Sequence, residues 1–554
     1  MKRHAFEFDP EIDLKRYQVW YLDGSHSIPP WTPMFAWTWC NHLRHAHVWA
    51  AGRLSLPNNR GTDWREIDGC AYCTPTPITD AAEIRQRETV FRERIRPFLE
   101  DYDAVWQQAV RELHGLYDPL KRFDYEEATF DALYENWEDV LAMHRRMWEL
   151  HFYLMYATYT IYTLFEGLCR ELLGIDDTST LWHRLMQGFD NDLFEADRKL
   201  WELRLLAEEL GLTEVFLSSP ADQVLPQLRG SARGRQWVEA LAAYLDIYGW
   251  RMPRMMEFNC PSWREDPTPV IRHIQQFLAP GVSFDLDRKR PALVEDRQRA
   301  EAEVLARVPP EQREWFSKLM AVAQKAGVFS ESHDFHFEHQ AHAIFRRALL
   351  GYGRRLAAKG CLAAADDPLF LVPDELRKAL GAPEYHDLRP VVAARRKEFA
   401  DYSQRLDRPT LIGNLSLEEA TAHMVRAQDS IMMKITIGEF PQVRPELAAD
   451  LYGIAGSPGV AEGPARVILD ERDVGEVQAG EILVAPITYS GWTPIFPLLK
   501  GVVTDRGGSL AHAAVVGREY HIPIVVNTLE ATKKIRTGQR LRIDGYQGVV
   551  YILE

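Results

Sequence analysis

The sequence predicts a multidomain chain in which a large, mainly α-helical region is followed by a small α/β domain. Three observations carry that expectation. The chain has 554 residues, well past the roughly 250–300 at which one hydrophobic core stops growing. From Asp80 onward, apolar residues recur near every 3.6 positions over long segments, as in helices that bury one face. From Gly453 the pattern changes to glycines interleaved with short Val- and Ile-rich runs, which favours strands and turns.

Residues 1–80 are rich in aromatics and proline. YLDGSHSIPPWTPMFAWTW (21–39) and CAYCTPTPI (70–78) are their least helical parts, and read as loops and short extended pieces packed by their rings. Segments 80–115, 124–175, 178–210 and 232–249 read as helices, with Glu and Arg opposite the apolar stripe. A short helix is expected to start at Ser219 and Pro220. Pro253 and NCPSWREDPTP (259–269) break the run, and a helix covers 268–278. A second helical block spans 288–325 and 335–360. A small helix at DELRKAL, another within 381–406, a loop at PTLIG (409–413) and a helix over 416–428 follow.

In the last hundred residues, ARVIL, EILVA, GVVTD, PIVVN, QRLRID and GVVYIL are six expected strands, with one helix between GVVTD and PIVVN. The expected segments are therefore 1–80, the helical subdomains 81–280 and 281–450, and the α/β domain 451–554. The glycine-rich entry at 451–459 reads as a hinge on which that domain moves as a body.

Composition bounds the partners. A net charge of -15 argues against nucleic acid, which selects clustered Lys and Arg. MKRHAFEFDPEIDLKRY has no apolar run of signal-peptide type, and no apolar stretch reaches the ~18 residues of a membrane span. Six scattered cysteines do not make a disulfide scaffold, so a reducing cytoplasm is the expected compartment. Cys70 and Cys73 form one C-x-x-C with no second pair, and no metal site is expected.

The chemistry concentrates in TDRGGSLAHAAVVGREYHIPIVV (504–526). Gly507 and Gly508 end a strand and permit positive φ and close approach of a ligand. Ser509 is placed to cap the following helix, which puts His512 in its first turn. Unpaired N–H groups and the positive helix end attract an anion there and disfavour a proton on the imidazole. No His, Cys or carboxylate pair lies at zinc-ligand spacing around it. On the residues alone, His512 is either a capping and packing residue or a nucleophile that holds a phosphoryl group.

Residues 453–554 resemble the mobile phosphohistidine domain shared by phosphoenolpyruvate-utilising enzymes, pyruvate phosphate dikinase and rifampicin phosphotransferase. In that domain a glycine pair is followed by x-Thr-Ser-His or x-Leu-Ser-His, then A-A-I/V-V-A-R-E and G-I-P-A-V-V. Here the sequence reads Gly507-Gly508-Ser509-Leu510-Ala511-His512, then AAVVGRE and HIPIVV. Leu510 is similar to the branch that holds rifampicin phosphotransferase and the phosphohistidine subunit of phenylphosphate synthase. Ala511 lacks the usual hydroxyl, and Gly517 replaces the usual Ala. The resemblance implies a small β/β/α swivelling domain, His512 as phosphoryl carrier, and Gly507, Gly508 and Ser509 around the phosphate.

Upstream, SWREDPTPV (262–270), HDFHFEHQ (333–340), GRRL (353–356), DDPLFLVPDEL (366–376) and ARRKEF (394–399) resemble the substrate-binding region of the same group. No G-x-x-x-x-G-K-[ST] or Gly-rich, Lys-bearing segment precedes them. The resemblance thus implies a separate ATP-grasp-type subunit that binds ATP and Mg²⁺. His512 would carry the phosphoryl group to a small, phenolic hydroxyl compound. Another alcohol such as an antibiotic, or a non-catalytic regulatory role, are the alternatives.

An acceptor hydroxyl needs a base and neutralised phosphoryl oxygens. His333, oriented by Asp334, is expected at a helix start after Ser332. Arg395 and Arg396 would hold phosphate or form a solvated face. His26, Trp31, Phe35 and Trp37 would line the acceptor pocket or pack as aromatic core. Histidines at 333, 336, 339 and 342 drift around a helix by ~60° per step, so they do not converge on one ion.

Overall fold

A computed structural model of the chain describes residues 6–24, 26–175, 179–279, 282, 286–405, 408–415, 419, 443–508 and 511–553. Contacts divide it into two units that interleave along the sequence. One takes Met1–Ala157, Met255–Cys260 and His336–Thr436; the other takes Thr158–Arg254, Pro261–Phe335 and Ile437–Glu554. The four segments expected from sequence are consecutive, whereas these units are each assembled from three stretches.

The first unit contains a four-stranded sheet of β1 (Val19–Leu22), β2 (Asn59–Ile67), β3 (Cys70–Pro77) and β4 (Leu411–Gly413), in the order β2-β3-β1-β4. Much of 1–80 is therefore regular: of the loops and short extended pieces expected, 70–77 is an extended strand, while 33–39 lies in a helix. Pro33 opens a 22-residue helix, Pro33–Leu54. Proline fixes φ and lacks only an N–H that a first turn leaves unused, so it starts this helix instead of breaking the chain. CAYCTPTP is strand β3, paired along its length with β2. PTLIG, expected as a loop, supplies β4, which pairs with Val19–Tyr21. Cys70 and Cys73, three apart on β3, face opposite sides of the sheet, and both are buried.

In the second unit, the helices Asp192–Glu209, Ala232–Tyr248 and Thr268–Leu278 bury Leu200, Trp237, Ile271 and Phe277 together. Asn191 and Ser231 cap the first two through the N–H groups of Phe194 and Gly234. The helix Arg313–Asp334 runs without interruption into a π-helical turn, Phe335–His339. His333 and Asp334 therefore end one helix; they do not begin another. Continuous backbone hydrogen bonding leaves Ser332 no free N–H to cap, and Ser332 is buried.

The large helical region is followed by a small, mixed α/β swivelling domain. Its strands are β5 (Leu451–Tyr452), β6 (Ile454–Ser457), β7 (Val460–Val467), β8 (Ile482–Ala485), β9 (Gly501–Thr504), β10 (Ile524–Val526), β11 (Arg540–Asp544) and β12 (Val549–Ile552). They form one sheet in the order β5-β12-β11-β7-β8-β9-β10-β6. The centre, β7-β8-β9-β10, is parallel. Its inner strands ILVA, GVVT and IVV are buried at every position, as a parallel sheet covered on both faces requires.

All six expected strands are present. The hinge expected at 451–459 is replaced by two further strands, because Leu451 and Tyr452 pair with β12 and Ile454–Ser457 pairs with β10. Apolar residues between the glycines give those strands a buried face, so this stretch is part of the domain's sheet. The helix expected over 416–428 falls, apart from Glu419, outside the described residues. No described helix is long and apolar enough to cross a membrane.

Candidate functional site

His512 is the first residue of the helix His512–Tyr520, one position past its N-cap, Ala511. Ser509, expected as the cap, lies outside the described residues, and Ala511 has no side chain that caps. Only Gly507 of the glycine pair has positive φ, at 126°, and a Cβ there would stand 2.9 Å from Ala511 Cβ. A Cβ on Gly508 would meet nothing within 4 Å. The turn therefore demands glycine once, and the second leaves open space beside the helix start.

The imidazole is held on three sides. Its Nδ1 lies 2.8 Å from Glu331 Oε2, its Nε2 lies 3.4 Å from Thr493 Oγ1, and the Phe496 ring meets it edge-on at 5.8 Å. A carboxylate only accepts hydrogen bonds, so Nδ1 carries the hydrogen in this arrangement. In the neutral ring the lone pair is then on Nε2. Thr493 donates its own hydrogen to the Ser490 carbonyl at 2.8 Å.

That carbonyl also accepts from Arg251 at 2.7 Å, and Arg251 pairs with Asp197 at 3.1 Å. Both members of the pair are completely buried. Burial pushes the Asp197 carboxyl up, opposed first by Arg251 and then by the nearby His512.

The same helix carries Glu519, buried and aimed at the loop ahead of Asp192–Glu209. It accepts from Gly188 N at 2.8 Å and Phe189 N at 3.3 Å. Burial raises its carboxyl to about 7, against the lowering effect of those two N–H groups and of Arg290 and Arg518. Sequence reading missed Glu331, Asp197, Arg251 and Glu519. The RE of AAVVGRE was the one signal available, and it was read only as a family mark.

The other expected site residues are placed as follows. His333 Nε2 lies 3.0 Å from Asp334 Oδ1, so that pair forms as expected. Residues two apart on a helix do not share a face, so Glu331, and not His333, is the one that meets His512. Arg395 is held by Glu375 and the Phe370 carbonyl, and Arg396 by Asp366 and Asp367. Those carboxylates occupy the guanidinium forks in the first unit.

His26 pairs with Asp23 at 2.9 Å in the first unit. Trp31 and Phe35 are 0% and 1% exposed and stack with Trp39, and Trp37 packs edge-on against Phe6. Trp31 and Phe35 are core, not pocket wall. His342 is bonded to the Met255 carbonyl at 2.7 Å, and burial lowers it to about 4. His336 lies 3.2 Å from His114, so these histidines turn to different partners.

Comparison with known proteins gives two family matches. Residues 477–548 match the mobile domain of PEP-utilising enzymes, and residues 147–331 match the fourth domain of rifampicin phosphotransferase. The first span contains His512, and the second ends on Glu331. Chondramide synthase cmdD of Chondromyces crocatus is 32% identical over 498 residues, covering 87% of this chain and 12% of that protein. The uncharacterized phosphotransferase YvkC of Bacillus subtilis is 26% identical over 439 residues, 79% of this chain and 51% of that protein. A rifampicin phosphotransferase of Streptomyces sviceus is 30% identical over 339 residues, 60% of this chain and 36% of its own length. The chain thus spans about half or less of these relatives.

Proposed function

Because the chain belongs to the phosphoenolpyruvate-utilising phosphotransferase family, we propose that it carries a phosphoryl group on His512 Nε2 to the hydroxyl of a small molecule. One observation carries this reading: the first residue of a helix, beside an obligatory glycine turn, is a histidine with Nδ1 engaged and its lone pair on Nε2. Such a ring is a nucleophile, and the helix start supplies N–H groups for the phosphoryl oxygens.

The donor in this reading is ATP with Mg²⁺, held by a separate ATP-grasp-type subunit. For the acceptor we favour an alcohol on a larger, antibiotic-like compound over a simple phenol. Several relatives are rifampicin phosphotransferases, and two of the aromatic residues expected to line a phenol pocket, Trp31 and Phe35, are buried.

The test is labelling by ATP in the presence of the ATP-binding subunit and Mg²⁺. One acid-labile, base-stable phosphoryl group should appear on His512 and vanish in His512→Ala. It should then pass to rifampicin in preference to phenol. Label on any other residue would refute the carrier assignment, and equal transfer to phenol would restore the phenolic reading.

A further inference from the structure

The geometry points to Glu331 as the positioning residue of His512, one that holds the proton on Nδ1 so that phosphoryl transfer runs through Nε2 and a neutral imidazole departs. The inference rests on the carrier reading of His512.

Glu331 is 2% exposed and stands on the rigid helix Arg313–Asp334. Its Oε2 is 2.8 Å from Nδ1, a distance at which a buried carboxylate fixes both the ring's orientation and its tautomer. Phe496 blocks rotation of the ring from its edge. Asp197, itself flanked by Arg251 and Arg198, is a further charged group close enough to interact with His512, and Tyr159, which also senses Asp334, is one that interacts with Glu331. Among the described residues, Glu331 is the one carboxylate within hydrogen-bonding distance of its ring.

The chemistry balances as follows. In loading, the Nε2 lone pair attacks the phosphorus of a nucleoside triphosphate. The P–Nε2 bond forms, the bond to the leaving phosphate oxygen breaks, and Nδ1 keeps its hydrogen. In discharge, the acceptor oxygen attacks phosphorus, the P–Nε2 bond breaks, and its electron pair returns to Nε2. The acceptor's proton passes to a base or to solvent. With Nδ1 protonated the departing ring is neutral imidazole. Without that proton it is an imidazolate anion, a far poorer leaving group. The Glu331 carboxylate, 2.8 Å from Nδ1, accepts that hydrogen bond and so holds the ring in the tautomer that departs neutral.

The experiment uses the full chain, with Glu331→Gln and Glu331→Ala. Histidine-ring ¹⁵N NMR, with His512→Asn to identify the signals, should show Nδ1 protonated and Nε2 bare in the native protein. Glu331→Ala should lose that preference. Phosphoramidate then loads the ring chemically, and ³¹P NMR follows release to water. Native release should stay flat as pH rises through neutrality. In both variants it should fall about ten-fold per pH unit above the ring's ordinary value of about 6.5. Should Glu331→Ala not fold, the isosteric Glu331→Gln decides alone. Native-like tautomer and pH profile in the variants would overturn the proposal. Absence of enzymic label on His512 would sink the carrier reading instead, and the tautomer measurement would still judge Glu331.

Discussion

Replacing Glu519 by Gln should change how the stability of the protein depends on pH. The carboxyl is 3% exposed, and the folded state raises it from 4.5 to about 7, burial outweighing its hydrogen bonds to Gly188 and Phe189. A carboxyl raised by folding binds its proton more tightly in the native state than in the unfolded one. Its stabilising contribution is therefore complete below about 4.5 and is lost as pH climbs through about 7. At about 1.4 kcal/mol per ten-fold change in proton affinity, the loss amounts to about 3 kcal/mol. Glutamine keeps an oxygen for the Gly188 and Phe189 N–H groups but does not titrate.

Urea unfolding of the two proteins across that pH range is the assay. The stability of the native protein relative to Glu519→Gln should fall by about 3 kcal/mol between pH 4.5 and 7 and stay level above. Parallel profiles would refute the argument. A relative loss on acidification would show that the N–H groups, and not burial, dominate the carboxyl.

Arg251→Met should cost about 3–5 kcal/mol by stranding the Asp197 charge in the interior, and Asp197→Leu in the same chain should recover much of it, measured by unfolding. Gly507→Ala should destabilise by about 1–3 kcal/mol, whereas Gly508→Ala should be nearly silent in thermal melts, because only the first has positive φ and a crowded Cβ position. Gly517→Ala should destabilise by about 1–3 kcal/mol, because its Cβ would fall 2.2 Å from Ile524 Cγ1; Ile524→Ala should relieve part of that in a double-mutant cycle. If His333, paired with Asp334, is the acceptor's base, His333→Ala should leave labelling of His512 intact and slow discharge about 10²–10⁴-fold; unchanged discharge would remove it from the reaction.

Periodicity made the long helices and the six buried strands legible, because each reports one face against one core. It failed where local chemistry permits two outcomes. The prolines at 29, 30 and 33 look like a broken chain, yet Pro33 is favoured at a first helical position and opens Pro33–Leu54. Glycines 453, 456 and 459 look like a hinge, yet Leu451 just before them and Ile454 and Ala455 among them are buried strand residues. The placing of His512 at a helix start was legible because the glycine turn and the histidine are neighbours in sequence. Arg395 and Arg396 were not, because a free guanidinium and one saturated by Glu375 and Asp367 read alike until the helices are packed.

The departures from the family pattern make sense only in three dimensions. Gly517 replaces an alanine on the helix that starts at His512, and on the helix-propensity scale that costs about 1 kcal/mol. The adjoining strand carries Ile524 where the pattern has another alanine, and the larger side chain fills the space that the Cβ at 517 would need. Gly517 and Ile524 therefore fit as a pair, the isoleucine side chain lying where a Cβ at 517 would stand. Position 511 follows the same logic. Alanine there removes a hydroxyl beside the histidine, but the polar partner of the imidazole comes from Glu331, 181 residues away in sequence and 2.8 Å away in space. A motif scores the loss at 511 and is blind to the carboxylate. The physical requirement is a group that fixes the hydrogen on Nδ1, and a buried carboxylate on a rigid helix meets it at least as firmly as a neighbouring hydroxyl would.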